Sequence, residues 1–243
     1  MNIVVPMAGR GTRVGQQTDG RPKPLIEIAG RPMLAWAWES LGGLREGARI
    51  TFVVLEAHRS GLVEAARHLA GAHAQVVALE QVTDGQLCTV LAATHALDLD
   101  SDLLIASCDT YVVSSLADAI RDKPAECRGI ISVADMPGER WSFARTDDAG
   151  RVVAVAEKQR ISNHASTGLY YFTSAGEFVE EANRLIAAGQ KTRGEYYVMP
   201  VYERYIAAGK RVDIARASEM WDLGTSDAID AFVVSRSRSQ LGS

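Results

Sequence analysis

Lys23 stands between two prolines in Arg21-Pro22-Lys23-Pro24-Leu25, shortly after the stretch Met7-Ala8-Gly9-Arg10-Gly11-Thr12-Arg13-Val14. Two glycines let a backbone approach an anion closely and leave N–H groups free to form a nest. Arg13 and Lys23 add positive charge from the two ends of that loop, and the prolines hold Lys23 extended. The stretch reads as a long loop that embraces phosphate, with a solvated loop of scattered cations as the plainer alternative. Two other glycine-rich patterns fit worse. The dinucleotide fingerprint GxGxxG matches Gly9 and Gly11 but meets Val14 at its third position, and the next helical segment starts only near Met33. Gly15 and Gly20 have P-loop spacing, but Arg21-Pro22 stands where that loop needs Lys followed by Ser or Thr.

Such a loop must be positioned by the elements around it. Ile3 to Pro6 is a short β-branched apolar run, the profile of a buried parallel strand, and similar runs recur at 50–55, 74–79, 102–107 and 129–134. Helical patterns lie between them at 33–41, 59–70 and 86–97. Strand alternating with helix implies βαβ units and a sheet covered on both faces. Ligands of such sheets bind beyond the carboxyl ends of the strands, where the loop after the first strand lies. After residue 135 the rhythm changes. Segments 141–146 and 151–158 flank the turn Asp147-Asp148-Ala149-Gly150 and predict a hairpin, followed by a strand at 166–172. Helices at 175–188 and about 195–208, a short strand at 211–215, and a helix that frays into a Ser/Arg tail complete the reading.

A chain of 243 residues can bury a sizeable core, and a single domain is the economical reading. The net charge of −4 disfavours a nucleic-acid binder, which would carry a basic face. Cys88, Cys108 and Cys127 form no CxxC pair and the five histidines no HExxH, so neither zinc nor a disulfide framework is indicated. Nothing approaches the roughly 18 apolar residues of a membrane span, and the start has no basic leader region. The protein reads as cytoplasmic, with no nucleic-acid or membrane partner.

Met7–Val14 together with Arg21–Leu34 resembles the signature of the sugar-1-phosphate nucleotidylyltransferases: GxGTR, then PKPL, then a G(K/R)PM stretch opening a helix. The resemblance continues along nearly the whole chain. It implies a three-layer, Rossmann-like α/β fold with a mixed, mainly parallel sheet, of nucleotide-diphospho-sugar transferase type. One domain over 1–243 would have a nucleotide-binding half, about 1–112, and an acceptor-binding half, about 113–235. The implied partners are a nucleoside triphosphate and a phosphorylated small-molecule acceptor; a homo-oligomer stays open. Arg13, Lys23 and Lys158 are then expected to be catalytic, and Ala8, Gly9, Gly11, Thr12, Gln81 and Gly85 to hold the nucleotide, with Thr89 a further candidate near the base. Asp109, which taken alone could be a helix cap or turn residue, and Asp222 are implied as ligands of Mg²⁺, which keeps most of its water shell. Glu157, Gly168 and Glu195 would face the acceptor, with Lys158 on its phosphate and Gly168 leaving room for the bound group.

The family departs from this chain at Ser226, where it often has proline, and at Cys88, where Gly or Ala is common, so the base stays open. An acceptor phosphate is already an anion and needs no general base, in keeping with the lack of a His or Ser nucleophile arrangement. The closest rival keeps the chemistry and changes the acceptor: a cytidylyltransferase acting on phosphocholine or another small phosphorylated compound. A glycosyltransferase would need DxD at a strand end, whereas Asp98 to Asp102 precede their strand. A nucleotide-binding module without activity is the remaining alternative.

Overall fold

Ile3, Val4 and Val5 are β-branched, and their side chains alternate between two apolar layers from strand β1 (Asn2–Pro6). The computed structural model describes residues 1–9 and 21–241. A short hairpin of β2 (Glu27–Ile28) and β3 (Arg31–Pro32) leads into α1 (Met33–Glu39). Next come β4 (Arg49–Leu55), α2 (Arg59–Ala70), β5 (Gln75–Leu79) and α3 (Gln86–Leu91). They are followed by β6 (Leu103–Ala106), β7 (Thr110–Ser114), α4 (Leu116–Arg121) and β8 (Cys127–Ala134). The hairpin strands β9 (Ser142–Thr146) and β10 (Val152–Glu157) precede β11 (Ala165–Phe172), α5 (Ala175–Ala187) and α6 (Met199–Ala207). The last elements are β12 (Arg211–Asp222) and α7 (Ser226–Leu241).

The main sheet runs β5-β4-β1-β6-β11-β8-β12-β7, with β9 joined to β11 and β10 to β9. From β5 to β6 every pairing is parallel, as βαβ units require. Beyond β6 the sheet is mixed: β11 is antiparallel to β6 and β8, β12 parallel to β8, and β7 antiparallel to β12. Val4, Val53, Leu103 and Ile105 face one apolar layer with α3, α5 and α6. Their strand neighbours Ile3, Val5, Phe52, Val54 and Leu104 face the other, with α1, α2 and α4. This period-two split gives the three layers expected from sequence. A third cluster joins α1 to α7, where Phe232 packs edge-on to Trp36 at 5.0 Å between ring centroids.

Several boundaries differ from the sequence reading. Strand β12 continues past 215 to Asp222 because its partner changes: pairing with β8 ends at Arg216, pairing with β7 starts at Ala217 with a register shift before Glu219, and Trp221 and Asp222 pair with Tyr111 and Thr110. Strand β7, Thr-Tyr-Val-Val-Ser, follows β6 after only three residues and is absent from the sequence reading. Helix α3 stops at Leu91, and a separate 3-10 turn covers Thr94–Ala96. Helix α6 begins at Met199 rather than 195, with Pro200 in its first turn, where a missing N–H costs nothing. Helix α7 runs through the Ser/Arg stretch to Leu241, and Arg236 lies over the Tyr111 ring and pairs with Glu219.

Candidate active site

Strand β6 delivers Ser107, Cys108 and Asp109 at its carboxyl end. Three contacts fix this corner. Ser107 N donates to Gly168 O at 3.0 Å, the Ser107 hydroxyl donates to the Asp109 carboxylate, and Leu223 N donates to Asp109 O at 2.8 Å. The last bond ties the β6–β7 corner to the end of β12 and so brings Asp222 beside Asp109, although the two are far apart in sequence. Their convergence can be read at Gly224. A Cβ there would lie 2.7 Å from Asp222 Oδ1, 3.6 Å from Asp109 Oδ2 and 3.3 Å from Lys23 Nζ. Lys23 pairs with Asp109, and Arg140 reaches Asp222 Oδ2 at 2.8 Å, while Gly224 N donates to Asp222 Oδ1 at 2.9 Å. Lys23 itself opens a single 3-10 turn, Lys23–Leu25, in place of the extended stretch expected from its prolines; buried Pro24 anchors that turn.

A second group forms at the end of β10. Side chains of successive strand residues point to opposite faces, yet Glu157 and Lys158 both line the same cleft and pair at 3.2 Å. The reason is the left-handed backbone at Lys158, with φ of 57°, which ends the strand's alternation. Glu157 accepts a hydrogen bond from the Ser142 hydroxyl through Oε2, while buried Oε1 has no hydrogen-bond partner beside the Lys158 ion pair. Lys158 Nζ donates to Arg140 O at 2.7 Å and lies over the Tyr197 ring, and Lys158 N donates to Trp141 O at 3.0 Å.

Both groups open on one cleft of about 960 Å³, a size suited to a nucleotide-sized ligand. Its lining includes the sequence candidates Ala8, Gly9, Gly85, Thr89 and Glu195. Gly85 is required by conformation: φ is +126°, and a Cβ would run into the Tyr196 backbone. Gly168 has φ +85°, and its Cβ would lie 2.7 Å from Ser107 Cβ, so its lack of a side chain serves the packing of β11 on the Asp109 corner. Gly168 also lines the cleft, so this packing demand adds to the room for a ligand expected from sequence. Gln81 is exposed and outside the cleft lining, whereas Gln86 belongs to it. Glu195 precedes α6 instead of riding on it. Gly11, Thr12 and Arg13 lie outside the described residues.

Sequence reasoning missed Ser107, Arg140, Trp141 and Ser142, all of which line the cleft. No local pattern marks them; only the β9–β11 pairing and the strand-end contacts bring them there. Cys108 also lines the cleft, but burial, aided by the neighbouring Asp109 charge, pushes its thiol up to about 12, which makes it a poor nucleophile.

Two converging carboxylates offer hard oxygen ligands, the donor set of a small divalent cation such as Mg²⁺. Among the described residues no group of three or more His, Cys, Asp or Glu side chains could hold a metal. A cation at Asp109 and Asp222 would therefore share its coordination with water and a ligand's phosphates.

Known proteins resemble this chain in sequence and fold. A UTP–glucose-1-phosphate uridylyltransferase of Haloferax volcanii is 26% identical over 227 residues, covering 89% of this chain and 88% of that protein. A glucose-1-phosphate thymidylyltransferase of Streptomyces antibioticus is 27% identical over 97% of this chain, which spans 65% of that longer protein. The crystal structure of a nucleoside-diphosphate-sugar pyrophosphorylase from Vibrio cholerae superposes with a TM-score of 0.81 at 25% identity, covering 95% of this chain and 99% of the other. The sequence profile of the family described as nucleotidyl transferase matches residues 3–234, from the first strand to within the last helix. The chain belongs to the nucleotidyl transferase family and is a nucleotidyltransferase.

Proposed function

We propose that the chain transfers a nucleoside monophosphate from a nucleoside triphosphate to a sugar 1-phosphate, with Mg²⁺, releasing pyrophosphate and a nucleoside-diphosphate sugar. The observation that carries this reading is the single cleft with two chemically different poles. One pole gathers Lys23, Asp109 and Asp222, suited to phosphates and a divalent cation; the other presents Glu157 and Lys158. The names of the uridylyl- and thymidylyltransferase relatives, both acting on glucose 1-phosphate, support the sugar class.

An oxygen of the acceptor phosphate attacks the α-phosphorus, forming the new P–O bond, while the bond to the α,β-bridging oxygen breaks and pyrophosphate leaves with the electron pair. No proton has to be removed from the nucleophile. Lys158 holds the acceptor phosphate in line, and Glu157 Oε1, buried and short of hydrogen-bond partners, accepts from a sugar hydroxyl. Lys23, together with Arg13 of the same loop, neutralises charge on the triphosphate as the leaving group forms. Asp109 and Asp222 would hold Mg²⁺, which when bound would supply positive charge that offsets the repulsion between the triphosphate and the incoming anion. Backbone groups around Ala8, Gly9 and Gly85 cradle the nucleoside, with Gln86 better placed than Gln81 to meet the base. Free cysteines and a nucleoside triphosphate substrate suit the cytoplasm.

Pyrophosphate release should be measured for UTP, dTTP, CTP, GTP and ATP against a panel of sugar 1-phosphates and phosphocholine. Turnover is expected with at least one sugar 1-phosphate and to cease in excess EDTA. Turnover with phosphocholine alone would overturn the acceptor class, and full activity in EDTA the metal.

A further inference from the structure

The loop from Asp135 to Trp141 carries one side chain that the reading above leaves without a task. Arg140 sends its guanidinium to Asp222 Oδ2 at 2.8 Å and lays it over the Trp141 ring at 4.4 Å, while its side chain stays about half exposed (48%). Its backbone is pinned from the other pole. Lys158 Nζ donates to Arg140 O, Lys158 N to Trp141 O, and Arg160 to Met136 O at 2.7 Å. Arg140 thus bridges the two poles: main chain anchored at Lys158, side chain placed on Asp222.

A divalent cation on Asp222 would compete with the Arg140 guanidinium for one carboxylate, whose Oδ2 pairs with Arg140 and whose Oδ1 accepts from Gly224 N. Two cations on one carboxylate repel, so each weakens the other's hold on it. A guanidinium freed from Asp222 cannot travel far, since its backbone stays tied to Lys158. It then lies beside the lysine in the cleft, with a planar fork suited to two phosphate oxygens.

We propose that Arg140 is a further acceptor-phosphate ligand beside Lys158, released to that task when a divalent cation takes its place on Asp222. This rests on the acceptor reading of Lys158 given above.

Two measurements on Arg140→Ala test it, with Arg140→Met as a second variant that keeps the stem packed on Trp141. Mn²⁺ titrated into the nucleotide-free protein and followed by electron paramagnetic resonance should bind several-fold tighter to both variants than to wild type. The acceptor KM should rise about tenfold in both, as the loss of a charge-assisted phosphate contact implies. Equal or weaker Mn²⁺ binding overturns the competition for Asp222, and an unmoved acceptor KM overturns the phosphate role. Lys158→Ala separates the two levels. If it raises acceptor KM while the Arg140 variants do not, only this inference fails; if neither moves it, the acceptor reading fails with it.

Discussion

The two poles of the cleft are built by different means. Asp109 and Asp222 come from the ends of β6 and β12, and they meet because Leu223 N bonds to Asp109 O and Asp222 pairs in register with Thr110. Each carboxylate faces a cation from elsewhere in the chain, Lys23 or Arg140. Glu157 and Lys158 are adjacent in sequence and share the cleft because one residue adopts a left-handed backbone. Assembly at the first pole is tertiary and electrostatic; at the second it is local and conformational. Removing a charge at the first pole should therefore damage the transition state while sparing the fold, whereas changes at the second should separate binding from stability.

Four substitutions or reactions sharpen this contrast. Asp109→Asn keeps the size of the side chain and, through its amide oxygen, an acceptor for the Ser107 hydroxyl, but it removes the charge and the second acceptor oxygen that faces Lys23. It should lower kcat about a hundred- to a thousandfold, the scale for losing one preorganised electrostatic contact, with little change in melting temperature. Steady-state kinetics and a thermal melt check both halves, and full activity would make the carboxylate structural. Lys158→Ala should raise the acceptor KM about ten- to a hundredfold and lower kcat, because misplacement is felt in the transition state. Triphosphate binding measured by calorimetry without acceptor should stay put; a large loss there would assign Lys158 to the other substrate.

Lys158→Gly compared with Lys158→Ala isolates the backbone. Both lose the ammonium, but only glycine is at ease at φ of 57°, so the glycine variant should be the more stable by about 1 kcal/mol in urea titrations. Equal stability would mean that the left-handed turn stores no strain. The smallest effect concerns Cys108. With its thiol held near 12, almost none is thiolate at pH 8, and iodoacetamide followed by mass spectrometry should label it far more slowly than a free thiol. Rapid labelling would show the cleft floor more open than its packing indicates.

The sequence by itself determined the alternation of strand and helix in the first half, because β-branched runs such as Ile3–Val5 and Phe52–Val54 can be satisfied only when buried on both faces. It also marked Gly9 and Lys23, since glycine and proline leave a local signature, whereas Asp109, Glu157, Lys158 and Asp222 were singled out only by the resemblance to a family that the comparison then found. Strand β7, the long β12 and the contacts of Ser107, Arg140 and Ser142 were decided only by the tertiary structure. Local patterns do not reveal these pairings: β12 passes from β8 to β7 between Arg216 and Ala217, and Arg140 meets Asp222 across 82 positions of chain. The same holds for Gly168, whose need for a bare Cα arises from Ser107 on a neighbouring strand. A sequence records what each residue prefers locally; which preferences are overruled depends on neighbours that only the closed sheet supplies.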